Sequence, residues 1–264
     1  MKTWIPDDRQ FSYLTWQEVD HLPRESTLLV LPTAAIEQHG YHLPLATDTL
    51  INNLVLGNAL QILPREAPVF ALPPLCYGKS NEHIGYAGTL AVSAATFMSV
   101  VRDIGSSLAH AGFQRLVLYN SHGGNSSAID MMARDLRAEF GLRTFCLSAS
   151  GGATLIGLNP QEKAYGYHAG EVETSLLLAG CPELVKTDQY SVNYIADLSK
   201  SGTLLPENGP ATFSWLTKDI APSGVLGDPR SSTPEKGQQW LAAMARKVAD
   251  ALLAMATFKS PYPQ

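Results

Sequence analysis

Charge is scarce in this sequence. Asp, Glu, Lys and Arg make up 16% of the 264 residues, against about a quarter in an average soluble protein. Basic residues are outnumbered 19 to 24, for a formal net charge of −5. No basic run is present to neutralise a phosphate backbone, which argues against nucleic acid as a partner. Cysteine is scarce too: Cys76, Cys146 and Cys181 are an odd number at wide spacing, with no Cys-x-x-Cys metal motif and no disulfide framework. No stretch nears the ~18 uninterrupted apolar residues of a membrane span. The opening MKTWIPDDRQ has no apolar signal core. Internal repeats and low-complexity linkers are missing as well. These absences lead to the expectation of a cytoplasmic protein whose partner is a small molecule, with neither a membrane nor nucleic acid involved. The low charge also fits surface hidden in an oligomer.

What is present is apolar. The hydrophobic share is 45%, enough for a real core and far from disordered compositions. Short unalternating runs at Ser26–Leu31, Pro68–Leu72, Arg115–Tyr119 and Leu142–Leu147 read as strands covered on both faces. Helical stretches lie between and after them, at Asp48–Ile62, Ala91–Ala111, Ser127–Phe140, 171–179 and Pro234–Met255. Strand, loop and helix in this alternation predict a three-layer α/β/α domain around a mostly parallel sheet. The whole of 1–264 reads as one domain, with a loop-rich excursion at about 186–233. Parallel sheets bind ligands at the carboxyl ends of their strands, so the loops after the strands carry the functional argument.

Those loops hold five of the seven histidines. In Glu37-Gln38-His39-Gly40-Tyr41-His42, Glu37 and His39 share a face of extended chain, and Asp48 opens the next helix. Two carboxylates and an imidazole suit Zn²⁺, Mn²⁺ or Fe²⁺. A helix cap at Asp48 or Thr47 with surface histidines explains the same residues. Gly78-Lys79-Ser80-Asn81-Glu82-His83 follows the second strand. His122-Gly123-Gly124-Asn125 follows the third; a tight turn accounts for its glycines but not for its histidine. It is neither a GxxxxGK[ST] phosphate loop nor a GxSxG nucleophile elbow. His168, Glu171 and Glu173 form the last cluster, and on a helix the two glutamates point in different directions.

Taken in order, these segments resemble the creatininase family of creatinine amidohydrolase-like proteins. The matching stretches are Leu31-Pro32 through Glu37-Gln38-His39-Gly40 to His42-Leu43-Pro44 and Asp48, then Gly88-Thr89, His122-Gly123-Gly124-Asn125 and His168-Ala169-Gly170 with Glu173-Thr174-Ser175. Ser223-Gly224-Val225, Gly227-Asp228-Pro229 and Glu235-Lys236-Gly237 continue the likeness, so it covers most of the chain. The resemblance implies an α/β/α domain, usually in a homohexamer, with two divalent ions per chain, Zn with Mn or Fe. On its pattern Glu37 binds one metal, His39 the other, Asp48 bridges both and His122 completes the first site. Family creatininases carry a glutamate two residues beyond that histidine, where this chain has Gly124. Glu173, matching His-Ala-Gly-x-x-Glu, is the candidate to supply the missing carboxylate.

His168 matches the histidine that shuttles a proton to the leaving nitrogen, with Glu171 a second candidate. Ser80, Glu82 and His83 are expected behind the ligands or facing the substrate. Asn125 is expected to hold the turn or orient a ligand. Trp215, near Phe213 in the excursion, is a candidate pocket wall, although an aromatic residue packs in a core or interface at least as readily. The implied reaction is attack of metal-activated water on a small cyclic amide or related carbonyl compound. The alternatives are a hydrolase, lyase or isomerase of a cyclic polyol-derived ketone, or a metal-stabilised subunit that binds without turnover.

Overall fold

A computed structural model describes residues 3–195, 204–205 and 211–259. Of the expected excursion at 186–233, residues 196–203 and 206–210 lie outside the described residues. Four parallel strands form the central sheet: β1 (Leu28–Thr33), β2 (Val69–Ala71), β3 (Arg115–Asn120) and β4 (Arg143–Ser148). Their order is β2-β1-β3-β4. Leu28 pairs in register with Val69 on one side and Arg115 on the other, and Arg115 pairs with Arg143.

Eight helices accompany the strands among the described residues: α1 (Trp16–Asp20), α2 (Thr47–Ile62), α3 (Ala94–His110), α4 (Ser126–Phe140), α5 (Pro160–Tyr165), α6 (Glu171–Gly180), α7 (Thr217–Ile220) and α8 (Pro234–Thr257). The third was expected from Ala91, but Ser93 accepts a hydrogen bond from Thr96 N at 3.1 Å and this cap sets its start. Thr233 caps α8 in the same way, with Pro234 in the first turn.

Alternation along the strands separates two cores. Leu28 and Val30 of β1, with Val117 and Tyr119 of β3, pack against α2, α6 and α8. Leu29 and Leu31, with Leu116 and Leu118, pack against α3 and α4. The result is the three-layer α/β/α arrangement; β1 is buried throughout, whereas β4, expected to be covered on both faces, is an edge strand that leaves Cys146 and Ser148 exposed. α8 lies directly on α6 because of Gly237, where a Cβ would fall 1.9 Å from the Ser175 carbonyl oxygen. No helix of the described residues is long and apolar enough to cross a membrane. All four strands point their carboxyl ends at the same edge of the molecule, and the polar loops gather there.

Candidate metal centre

The loop after β1 is closed by Glu37 N donating to Leu45 O at 3.0 Å. This places Glu37 and His39 over the sheet edge and Asp48 in the first turn of α2. His39 Nδ1 donates to the Glu37 carbonyl at 3.1 Å, leaving Nε2 free to face the carboxylates. After β3, His122 Nε2 donates to the Lys79 carbonyl at 3.1 Å, which aims Nδ1 the same way. Ala169, just before α6, has a φ of 54°, a left-handed conformation costly for a residue with a Cβ. Its N–H donates to Glu173 Oε2 at 2.6 Å and holds that carboxylate toward His39.

Asp48 lies between the two histidines. Its Oδ1 is 3.5 Å from His39 Nε2 and its Oδ2 is 3.3 Å from His122 Nδ1. Glu37 Oε2 is 3.3 Å from His122 Nδ1, and Glu173 Oε2 is 3.9 Å from His39 Nε2. Glu37 also accepts from the Ser80 hydroxyl. Three carboxylates and two imidazoles therefore converge in one space. His39 Nε2 and Asp48 Oδ2 are buried without a hydrogen-bond partner, a cost that a cation would relieve. Hard oxygen and borderline nitrogen donors in this mix fit Zn²⁺ or Mn²⁺. Among the described residues, Glu37 with His39 and Asp48, His39 with His168 and Glu173, and Glu37 with Glu82 and His122 each bring three possible ligand atoms within 4.8 Å of one another, as do Glu37, His83 and His168.

The side-chain charges at the cluster act strongly on one another. Burial pushes His39 down, but Asp48, Glu173 and Glu37 together raise it to about 9. His122 is likewise driven down by burial and lifted well above its ordinary value by Glu37, Asp48 and Glu82. Burial favours a neutral Asp48, yet His39 and His122 hold it well below the carboxylate range. Glu173 is raised to about 7 by burial, against the pull of His39. Burial keeps His168 well below the usual imidazole value, and His39 and His83 add to the effect.

The remaining expected residues separate clearly. His168 stacks on His39 at 4.1 Å, with Nδ1 3.7 Å from Glu37 Oε1. Glu82 Oε1 lies 3.3 Å behind His122 Nε2, and Lys79 bonds its other oxygen at 3.0 Å. Asn125 braces the turn: its Oδ1 accepts from Lys79 N at 2.9 Å and its Nδ2 donates to Ala34 O at 3.1 Å. His42 turns away to Thr174 Oγ1 at 3.0 Å. Glu171 is not brought to the cluster; it is fully buried, ion-paired with Lys236 and bonded by Asn159 N at 3.1 Å.

Two residues outside the expected set organise the site. Gln38 Nε2 reaches His83 Nδ1 at 2.8 Å and Gly224 O at 3.0 Å. Glu162 accepts from Glu171 N, Asp228 N and the Tyr194 hydroxyl at 2.8, 2.6 and 2.8 Å. It thereby ties the His168 segment to the 226–228 loop. Gln38 offered a weak signal, sitting between two expected ligands; Glu162 offered none.

A cavity of about 590 Å³ opens onto the cluster. Glu37, His83, His122 and His168 line it, as do Phe213, Trp215 and Leu216.

The family model described as "Creatininase: Creatinine amidohydrolase" matches residues 12–252. A mycofactocin precursor peptide peptidase of Mycobacterium ulcerans is 36% identical over 231 residues, covering 84% of this chain and 83% of that protein. A creatinine amidohydrolase of Pseudomonas putida is 30% identical over 267 residues, covering 90% of this chain and 94% of the relative. Among solved structures, a creatininase variant of Zn-Zn type superposes with a TM-score of 0.71 at 26% identity, covering 98% of this chain and 100% of its own. By the extent of these matches, and with the same three-layer fold, this chain belongs to the creatininase family.

Proposed function

We propose that this protein is a metal-dependent hydrolase that adds water across the C–N bond of an amide. The observation that carries this reading is Asp48, whose two oxygens each face a different buried histidine, His39 and His122. A carboxylate so placed suits two cations in one site. The named activities of the two curated relatives support an amide substrate, since a peptidase and an amidohydrolase both break C–N bonds. A cyclic amide or a peptide end would fit a cavity of about 590 Å³.

Zn²⁺ or Mn²⁺ held by Glu37, Asp48 and His122, and by His39, Asp48 and Glu173, would supply Lewis acidity and make water a nucleophile near neutral pH. The protein's own part is proton movement and positioning. His168 Nε2 donates to the Gln38 carbonyl at 2.7 Å, so its Nδ1 carries the lone pair that faces the cavity. That atom takes the proton lost by the attacking water and returns it to the departing nitrogen. Glu82 and the Lys79 carbonyl fix the His122 ring, and Ser80 fixes Glu37. Phe213 and Trp215 line the cavity and give it an apolar surface for substrate.

Assembly as a homohexamer belongs to the same reading. Exposed Tyr41, Tyr77, Ile84 and Leu90 offer apolar surface for it, and sedimentation tests it.

The decisive assay is amine release from unblocked peptides and from cyclic amides, using protein reconstituted with Zn²⁺ or Mn²⁺. Turnover abolished by chelator and restored by metal supports the reading. Fully metallated protein inert toward both classes contradicts it.

A further inference from the structure

Four buried histidines surround Glu37, and their neighbours fix which ring nitrogen holds the proton. His39 Nδ1, His122 Nε2 and His168 Nε2 each donate to a backbone carbonyl, at 3.1, 3.1 and 2.7 Å. A carbonyl oxygen only accepts, so the other nitrogen of each ring is the one left for the cluster; His168 offers a lone pair there, and His39 and His122 do so once their second proton has left. All three of these nitrogens face the carboxylate cluster.

His83 is the exception. Its Nδ1 lies 2.8 Å from Gln38 Nε2. That amide cannot be reversed, because its Oε1 accepts from Gly40 N at 2.9 Å and its Nε2 donates to Gly224 O at 3.0 Å. The second Nε2 hydrogen of Gln38 therefore points at His83 Nδ1, which an Nδ1–H would oppose; the Thr217 hydroxyl, 3.0 Å from the same nitrogen, then donates to it as well, and the proton of the neutral His83 ring resides on Nε2. This N–H faces the cavity lining, 3.4 Å from Glu37 Oε1. The ring stacks on His168 with centroids 4.3 Å apart and planes inclined by 32°. Glu37, His83 and His168 lie close enough together to resemble a further ligand group. A nitrogen that carries a proton is no ligand, however, so that reading fails at His83.

We propose that His83 is a further catalytic residue, whose Nε2–H donates a hydrogen bond to the substrate's carbonyl oxygen as that oxygen becomes an oxyanion. This rests on the hydrolase reading above. The water oxygen forms its bond to the carbonyl carbon, the π pair moves onto the carbonyl oxygen, and the proton from water passes to His168 Nδ1. The pair then re-forms the carbonyl, the C–N bond breaks, and the His168 proton goes to the nitrogen. His83 keeps its proton throughout and acts as a fixed donor beside a mobile base. Removal of such a donor costs about 10²–10³ in kcat.

Long-range ¹H–¹⁵N NMR of the metal-free and zinc-loaded protein tests this, with inorganic phosphate as the tetrahedral-anion probe. The His83 proton is expected on Nε2 in both forms, with its resonance moving when phosphate binds the zinc form. His83→Phe should keep its zinc and bind phosphate about tenfold more weakly, the loss of one hydrogen bond to a charged acceptor. His83→Gln, whose amide nitrogen can stand near Nε2, should stay within about threefold of wild type on the same ground. A proton on Nδ1, zinc lost from His83→Phe, or unchanged phosphate affinity in that variant would overturn the role alone. Wild-type protein that holds neither zinc nor phosphate would remove the hydrolase reading and this role with it.

Discussion

Glu82 fills the space beside Gly124. A Cβ on Gly124 would lie 2.0 Å from Glu82 Oε1 and 2.5 Å from the Lys79 carbonyl oxygen. Family creatininases have a glutamate at this place in the histidine turn; here a carboxylate reaches the back of His122 from the 79–83 loop instead. Burial opposes the ionisation of Glu82, but His122 and then Lys79 hold its carboxyl down at about 2. The glycine and Glu82 therefore belong together.

Restoring the side chain should harm rather than help. Gly124→Glu would collide with both Glu82 and the backbone of Lys79, an overpacking cost of about 1–3 kcal/mol. His122 would lose its support, and zinc affinity should fall by about ten- to a hundredfold. Thermal unfolding and zinc titration read both effects. A variant that binds zinc as tightly as wild type would refute the mutual dependence.

Glu173 and His168 should separate in their effects. Glu173→Gln removes a carboxylate charge beside His39 and, on the proposed ligand set, should weaken one metal more than His168→Ala does. His168→Ala should keep its metals and slow turnover by about 10²-fold or more, the loss of a positioned acid–base group. Equal, full metal occupancy in both variants would take Glu173 out of the ligand set.

Metal affinity should rise with pH. His39 holds a proton up to about 9 in the ion-free site and Glu173 up to about 7. A ligand must shed its proton before it binds a cation. The stabilisation that protonated His39 gives the metal-free fold is complete below the ordinary histidine value and is lost as pH rises through about 9. Over that same window the cation meets less competition, so affinity climbs and then levels. Calorimetry in buffers of different ionisation heat should record proton release near pH 7. Binding with no proton released, at constant affinity, would contradict the charge assignment.

Glu162 should matter for stability although it touches no expected ligand. It is buried and accepts from two backbone N–H groups and a tyrosine hydroxyl. Glu162→Ala strands those donors and should cost about 3 kcal/mol or more, read by urea unfolding. A loss under about 1 kcal/mol, typical of surface sites, would refute its place as a hub.

Much of this was legible in the sequence, for a physical reason. Strands buried on both faces are continuous apolar runs, and polar residues placed just after them stand out as candidates for a site. That logic reached the three layers, and it set Glu37, Asp48 and His122 apart as candidates, which the structure brings together at one edge of the sheet. It did not settle Glu171 against Glu173, because the two differ by which partner claims them. Lys236, 65 residues away, takes Glu171, and Ala169 N takes Glu173. Gln38 carries no charge and has no period of its own. Its importance lies in two side-chain hydrogen bonds to distant loops, at His83 and Gly224, which only the folded chain brings together.

The central claim is that one carboxylate, Asp48, serves two cations. Elemental analysis of metal per chain, in wild type and Asp48→Ala purified alike without chelator, tests it most directly. The account predicts about two divalent ions in wild type and nearly none in the variant. Two ions retained without Asp48, or none in wild type even after reconstitution, would contradict it.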